Sequence, residues 1–299
     1  MATEDIEAGE LACFIPQELF VTVEMGHQTP IVKYLFDNQY LKNIPQYDRL
    51  ILQLLIMQER QNQETKLKSF LDSIPKDWTN FPVLYSEEDW GLLQGSSLII
   101  WTNAEIEIQK RQYDFFADVL PDFGKTYSFD EFLATSRAVN SRIFDYMDED
   151  RQKVIMLPFG DLFNHRNPPD LIWEYGSNAE GRQGWVYRAL NPIKRGEQAY
   201  ISYGANKNNQ EMLPVYGFID DNNSEPFSSH LTLKIRKSDP LIDLKKKILG
   251  PNDLKVVVDQ VPDAEALSLL RVASLDLIEN AWQLESLIGA FRPDSGLKV

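Results

Sequence analysis

Apolar residues recur with a changing period along the chain. Asp5-Ile6-Glu7-Ala8-Gly9-Glu10 reads as a turn that feeds a short apolar strand, Leu11-Ala12-Cys13-Phe14-Ile15, halted by Pro16. From about Pro30 to Asp145 the period becomes helical. Leu50, Leu54, Leu55 and Met57 recur inside a polar frame, and Glu64 to Leu71 continues the pattern. Ile74 to Pro82 is a Pro-punctuated connection. A further helix is expected from about Ala104 to Val119. Another begins at Ser128, with Glu131 completing a capping box, and carries Phe132, Leu133, Val139 and Ile143. Short apolar runs then return: Val154 to Leu157, Gly184 to Tyr187 and Ala199 to Tyr203 read as strands between Pro, Gly and Asn clusters. Leu231 to Ile235 is one more. The chain ends helically, with Leu267, Leu270, Leu277, Ile278, Ala281, Leu284, Ile288 and Phe291 on one apolar stripe. Strand, helical insertion, strand and helical tail make an α+β layout.

Composition narrows the function. The 299 residues carry 30 Lys+Arg against 45 Asp+Glu, a net charge of −15, which disfavours broad binding to a nucleic-acid polyanion and favours a basic partner. One cysteine, Cys13, excludes an internal disulfide framework and a cysteine-cluster zinc site, and three histidines argue against a histidine-rich metal centre. No metal is expected. The longest apolar run, Leu50 to Met57, is short of the roughly 18–20 residues a membrane span needs and contains Gln53. The acidic opening Met1 to Glu7 resembles neither a secretory signal nor an Arg-rich transit peptide. The expectation is a monomeric, cytoplasmic or nuclear protein without membrane partners; a plastid address fits if a transit peptide precedes Met1. Lys245-Lys246-Lys247 reads as a solvated helix face, Trp101, Trp185 and Trp282 as core or interface residues, and Cys13 as a buried small hydrophobe.

The chemistry concentrates between Asp161 and Phe218. Leu157-Pro158-Phe159-Gly160 precedes Asp161-Leu162-Phe163-Asn164-His165; Lys194-Arg195-Gly196-Glu197-Gln198 leads into Ile201-Ser202-Tyr203-Gly204; Tyr216-Gly217-Phe218-Ile219 closes the region. Singly, an Asn-His pair is an ordinary capping pair and Ser-Tyr-Gly an ordinary strand end. In this order and spacing they resemble the SET-domain methyltransferases, in particular the Rubisco large-subunit methyltransferase-like branch. Ala2-Thr3-Glu4-Asp5-Ile6 with Gly9-Glu10 and Ile15-Pro16 is similar to that branch's N-terminal half. Tyr85 to Trp90 with Leu92 to Ser96 is similar to a signature of its helical insertion. Asp220-Asp221-Asn222-Asn223 resembles the entry to its C-terminal helical domain. The resemblance implies a SET fold of short strands over residues 1–222, with a helical insertion at about 30–135, then a mainly helical, partial substrate-binding domain over 223–299.

It also implies an S-adenosyl-L-methionine-dependent protein-lysine N-methyltransferase acting on a non-histone protein or peptide. Methyl transfer is an in-line displacement, so nucleophile, methyl and sulfur must be held collinear. Tyr203 would hydrogen-bond the attacking nitrogen; a phenol of ordinary pKa about 10 serves orientation and electrostatics rather than base catalysis. A desolvating channel would help the substrate ammonium lose its proton. The resemblance assigns Arg142, Asp161, Asn164, His165, Tyr203, Tyr216 and Phe218 to the cofactor site. In it Arg142 meets the methionine carboxylate, Asp161 braces the loop and Phe218 lies against the adenine. Read without the resemblance, Arg142 is a surface ion pair near a helix end and Phe218 a core residue on an apolar strand. Phe144, Gly160 and Tyr216 would form the substrate side. An aromatic wall at Phe144 beside open space at Gly160 suits a lysine stem and a cation–π contact, whereas an imidazole would need a polar group to orient it.

Two alternatives stay open: a protein-histidine methyltransferase, and a catalytically silent SET scaffold that binds a lysine peptide. The second is motivated by Met1 standing where the branch normally has a Gly-Arg-Gly-type loop and strand; separately, Val299 precedes the usual end of the helical domain. Missing covering helices would leave the Leu267–Phe291 stripe exposed.

Overall fold

Leu50 to Met57 are all buried, Gln53 included, because the helix that carries them is surrounded by other helices. Gln53 is satisfied there by donating from Nε2 to the Phe132 carbonyl at 2.8 Å, so the single polar residue does not interrupt the core. This computed structural model describes residues 1–41, 44, 47–93, 96–148, 151–223, 229–233, 238–249 and 254–258. The chain divides into two compact units, Met1–Ser224 and Glu225–Val299.

The first unit begins with β1 (Leu11–Pro16), β2 (Val21–Thr22) and a helical block: α1 (Val23–His27), α2 (Pro30–Asp37), α3 (Tyr47–Gln61), α4 (Lys68–Ser73), α5 (Glu87–Leu92), α6 (Leu98–Val119), α7 (Phe123–Thr126) and α8 (Phe129–Asn140). Strands resume with β3 (Ile143–Asp148), β4 (Arg151–Met156), β5 (Asn164–His165), β6 (Leu171–Ser177), β7 (Gln183–Ala189) and β8 (Tyr200–Ile201), followed by α9 (Asn209–Tyr216). Helices thus begin at Val23 and run to Asn140, wider than the expected 30–135. Ser128 does cap α8, its Oγ accepting from the Glu131 N–H at 3.1 Å. The helix stops at Asn140, however, and Ile143 opens β3. A complete reciprocal capping box forms instead at Asn208 and Glu211, where α9 starts.

Three sheets frame the site. β1-β7-β6 and β2-β4-β3 are antiparallel, and β5 pairs parallel with β8, setting Asn164 opposite Tyr200 and His165 opposite Ile201. Strands β3 and β6 escape the sequence reading because neither shows a clean apolar alternation. Both inner faces meet in one core of Ile15, Phe20, Phe144, Ile155, Leu157, Leu171, Trp185 and Tyr187. Trp185 is fully buried, stacked on Trp173 at 5.1 Å and edge-on to Phe144 at 5.5 Å. Trp101 is 43% exposed and is not a core residue, because it lies on the outer side of α6. Cys13 is only half-buried, and burial lifts its thiol to about 11.

In the second unit, β9 (Ser229–Leu233) and β10 (Leu254–Val258) pair antiparallel, and α10 spans Ile242–Leu249. The expected solvated face does not hold at Lys245. Its side chain is 2% exposed and pairs with Asp239 at 2.6 Å, because α10 turns that position inward. The expected stripe Leu267–Phe291 and Trp282 lie outside the described residues.

Candidate active site

The parallel β5–β8 contact brings two distant loops side by side, and the candidate residues follow from it. His165, at the end of β5, turns its ring toward the residue that follows β8 by two positions. Its Nδ1 accepts from the Tyr203 backbone N–H at 2.9 Å. An accepting Nδ1 places the proton on Nε2, 3.9 Å from the Asp220 carboxylate. Burial lowers the His165 pKa, outweighing Asp220, so the ring is neutral at pH 7. His165 is therefore a brace behind Tyr203.

Tyr203 is held from three sides. Its hydroxyl donates to the Phe163 carbonyl at 2.7 Å, its own carbonyl accepts from the Tyr216 hydroxyl at 3.2 Å, and its ring stands 4.8 Å from that of Tyr216 and 6.2 Å from that of Phe218. Burial pushes the phenol up to about 12, so it is neutral across the physiological range.

Tyr216 and Phe218 reach Tyr203 because of how α9 ends. Tyr216 is its last residue, and Gly217 caps it in the left-handed region at φ 78°. A Cβ at Gly217 would sit 2.6 Å from both Asn80 Nδ2 and the Phe81 ring, and Asn80 donates to the Gly217 carbonyl at 2.8 Å. Phe218 thus follows a glycine-terminated helix; it is not on an apolar strand, because Asn208 and Glu211 nucleate helix just upstream.

Arg142 follows the end of α8, and Asp161 lies in a 3-10 turn after β4. Arg142 Nη1 donates to both the Asp161 carbonyl and its Oδ2, each at 3.1 Å. The Asp161 side chain is fully buried and that of Arg142 16% exposed, so this is an interior pair rather than a surface one. Arg142 Nε and Asp161 Oδ1 are buried with no hydrogen-bond partner among the described residues. Burial raises the Asp161 pKa more than Arg142 lowers it.

Two cavities meet at this group. One, of about 400 Å³, is bordered by Asn164, Phe218 and the insertion residues Trp78, Asn80 and Phe81. The other, of about 310 Å³, is bordered by Phe144, Phe163, Trp173, Ile201, Asp145, Lys207 and Arg49. Ser141, Arg142, Asp161, Tyr203 and Tyr216 line both. The first volume falls in the range of small-molecule sites, about 300–1,000 Å³. Its unpartnered Arg142 Nε suits an anionic group, which the chemistry of a zwitterionic amino-acid moiety supplies. Clefts of about 600 and 790 Å³ open beside α3 and α4, but none of the candidate residues borders them.

Gly160 does not provide open space. A Cβ there would lie 2.7 Å from the Tyr187 hydroxyl, 2.9 Å from Ile15 Cδ1 and 3.1 Å from Leu157 Cβ. Its smallness serves core packing, and its carbonyl accepts from Tyr187 at 3.3 Å. Phe144 does face the second cavity. Trp173, Lys207 and Arg49 border the cavity from outside the quoted motifs, whereas Phe163 stands inside one and Ser141 and Asp145 adjoin candidate residues without themselves being assigned to the site. Trp78, Asn80 and Phe81 sat in what read as a bare connection.

A small-molecule pocket and an aromatic cavity share a buried phenol and hang on short sheets with a parallel two-residue crossing. Residues 1–204 match the SET domain profile, and the chain belongs to the SET domain family. Its matches include chloroplastic lysine methyltransferases of Rubisco and aldolase and actin-histidine methyltransferases. It is 28% identical over 251 residues to the chloroplastic fructose-bisphosphate aldolase-lysine N-methyltransferase of Arabidopsis thaliana, covering 78% of this chain and 51% of that protein. It is 26% identical over 259 residues to the actin-histidine N-methyltransferase of Papio anubis, covering 83% and 42%. The solved structure of Rubisco LSMT bound to AdoMet shares the fold at a TM-score of 0.71 and 23% identity, over 96% of this chain and 65% of that one. The chain spans about half, or less, of the length of the curated relatives it matches. Among the described residues, no helix is long and apolar enough to cross a membrane, and no His, Cys, Asp and Glu group could hold a metal ion.

Proposed function

We propose that this chain is an S-adenosyl-L-methionine-dependent protein-lysine N-methyltransferase acting on a non-histone protein. The observation that carries the proposal is the pair of cavities sharing Tyr203, Arg142 and Asp161 as their common wall. Asn164, Arg142 and Phe218 would hold the cofactor in the larger one, Arg142 by its carboxylate and Phe218 by its adenine. S-adenosyl-L-methionine, when bound, supplies a methyl group on a sulfonium. The chain's own part is to present the nucleophile to it. Phe144, Phe163 and Trp173 line the other cavity with rings that desolvate an alkyl-ammonium stem and favour loss of its proton. The Tyr203 hydroxyl, fixed by Phe163 and backed by His165, marks the junction at which the amine is aligned. Its high pKa excludes it as a base at neutral pH, so it orients and stabilises. Residues 223–299 would belong to the substrate-recognition region, and the partner is a lysine-bearing protein rather than nucleic acid or membrane, in keeping with the net charge of −15.

The test is incubation of the chain and labelled cofactor with fractionated protein extracts, followed by mass spectrometry of the labelled peptide. Label on lysine is expected; its absence from every fraction counts against the proposal. One observation favours a histidine acceptor as the second reading. Asp145 places a carboxylate on the acceptor cavity, where it could orient an imidazole. The same spectra separate the two.

A further inference from the structure

The charged lining of the acceptor cavity has the wrong sign for the acceptor alone. Arg49, Arg142 and Lys207 border it, against Asp145 and Asp161. Arg142 and Asp161 neutralise each other, which leaves Arg49 and Lys207 facing Asp145. A cavity read as receiving a lysine ammonium thus has a net positive lining, in a chain whose net charge is −15. A cation entering past two cations is repelled unless an anion arrives with it.

Neither cation has an evident structural reason to be there. Arg49 lies in the first turn of the 15-residue helix α3, where the helix dipole disfavours positive charge. Its recorded partner is neutral, the Asn140 Oδ1 at 3.4 Å. The Lys207 stem is packed on the turn after Tyr203: a Cβ at Gly204 would come within 2.7 Å of Lys207 Cε. The Lys207 carbonyl is anchored by Asn223 Nδ2 at 2.8 Å. These contacts hold the chain on which the ammonium is carried. Among the described residues, no carboxylate pairs with Arg49 or Lys207. Burial raises the pKa of the Tyr216 hydroxyl, Arg49 lowers it and Asp145 raises it, so both charges are felt at one hydroxyl that lines the same cavity. A charge set against local preference and left without a carboxylate partner is expected at a functional or strained site.

We infer that Arg49 and Lys207 form a carboxylate subsite that selects substrates with an Asp or Glu close to the acceptor. This rests on the reading of the smaller cavity as the acceptor site. It also separates the local requirement from the global one. The chain's overall acidity would by itself favour a basic partner, whereas the lining asks for an acidic side chain beside the acceptor. Asp145 would then meet the acceptor's own charge on the opposite side, and the substrate segment would be zwitterionic.

A library of peptides with one central lysine and acidic, neutral or basic flanks tests this in two parallel arms. In the first, the full chain with S-adenosylhomocysteine is immobilised and the captured peptides are counted by mass spectrometry. In the second, the same library is incubated with the chain and labelled S-adenosylmethionine. Acid-flanked peptides should be captured at least fivefold over base-flanked ones. The ratio should fall toward one in the Arg49→Gln, Lys207→Gln double variant, survive in part in Arg49→Lys, and invert in Arg49→Glu; an inverted preference cannot come from misfolding. Equal capture of all classes, capture of none, enrichment of basic flanks, or an acid preference unchanged in the double variant overturns the subsite. Acid-selective capture with no label transferred to any peptide supports the subsite and counts against the methyltransferase reading.

Discussion

Removing only the hydroxyl of Tyr203 separates what that group does for stability from what it does for turnover. Tyr203→Phe keeps the ring against Tyr216 and Phe218, so ring packing at 4.8 and 6.2 Å is unchanged. The loss is one O–H···O bond of 2.7 Å to the Phe163 carbonyl. Leaving a buried acceptor unpaired costs about 1–3 kcal/mol, and the half-open junction puts this case toward the lower figure. Turnover should suffer more. With its proton committed to Phe163, the hydroxyl oxygen can accept an N–H of the incoming amine. A preorganised dipole of this kind at a reacting centre is worth about 10²–10³ in rate, so methyl transfer should fall at least 100-fold while calorimetric affinity for S-adenosylmethionine changes little. The pH profile adds a second readout. With the phenol pushed up to about 12, it stays protonated through the assayable range, and the wild-type rate should show no limb near 10 from this group. The assay is single-turnover transfer of labelled methyl between pH 7 and 10.5, alongside thermal unfolding of both proteins. Tyr203→Phe turnover within twofold of wild type, or a wild-type limb near pH 10 that the substitution abolishes, would refute the role given to the hydroxyl.

Gly160→Ala should lower stability by about 1–3 kcal/mol, read as a lower unfolding midpoint, with no change of acceptor residue, since its Cβ would strike Tyr187, Ile15 and Leu157. Gly217→Ala adds a left-handed conformation costing about 1–2 kcal/mol to a 2.6 Å clash with Asn80 and Phe81. It should weaken cofactor affinity measured by calorimetry as well as stability, because Tyr216 and Phe218 flank it. For Asp161, burial raises the folded pKa above its ordinary 3.8, so the folded state holds the proton more tightly than the unfolded chain. The cost of ionising it is fully present above the raised value and relieved as pH falls toward 3.8. The stability of wild type relative to Asp161→Asn, measured by denaturant unfolding, should therefore improve as pH drops through that window; an opposite slope would mean that Arg142 outweighs burial.

Local chemistry alone determined much of this protein. The run Leu50–Met57 is apolar enough to specify a buried helix, Ser128 three residues before Glu131 marks the start of α8, and the Asn164-His165 and Tyr203 motifs fall within the family profile over residues 1–204, with Tyr216-Phe218 just beyond it. What those residues touch was decided elsewhere. His165 carries the signature of a ligand-binding histidine, yet its ring is used to hold the backbone of a residue 38 positions away. Gly160 is small because Tyr187 and Ile15 close over it, and Phe218 is placed by Asn80 reaching Gly217 across 137 residues. The Arg142–Asp161 pair and the two cavities that share it exist only once α8, the turn after β4 and the parallel β5–β8 crossing are packed together. Periodicity and capping act over a few residues and are written locally. Burial, charge pairing and cavity shape depend on which distant segments exclude water from one another, and only the folded chain makes that choice.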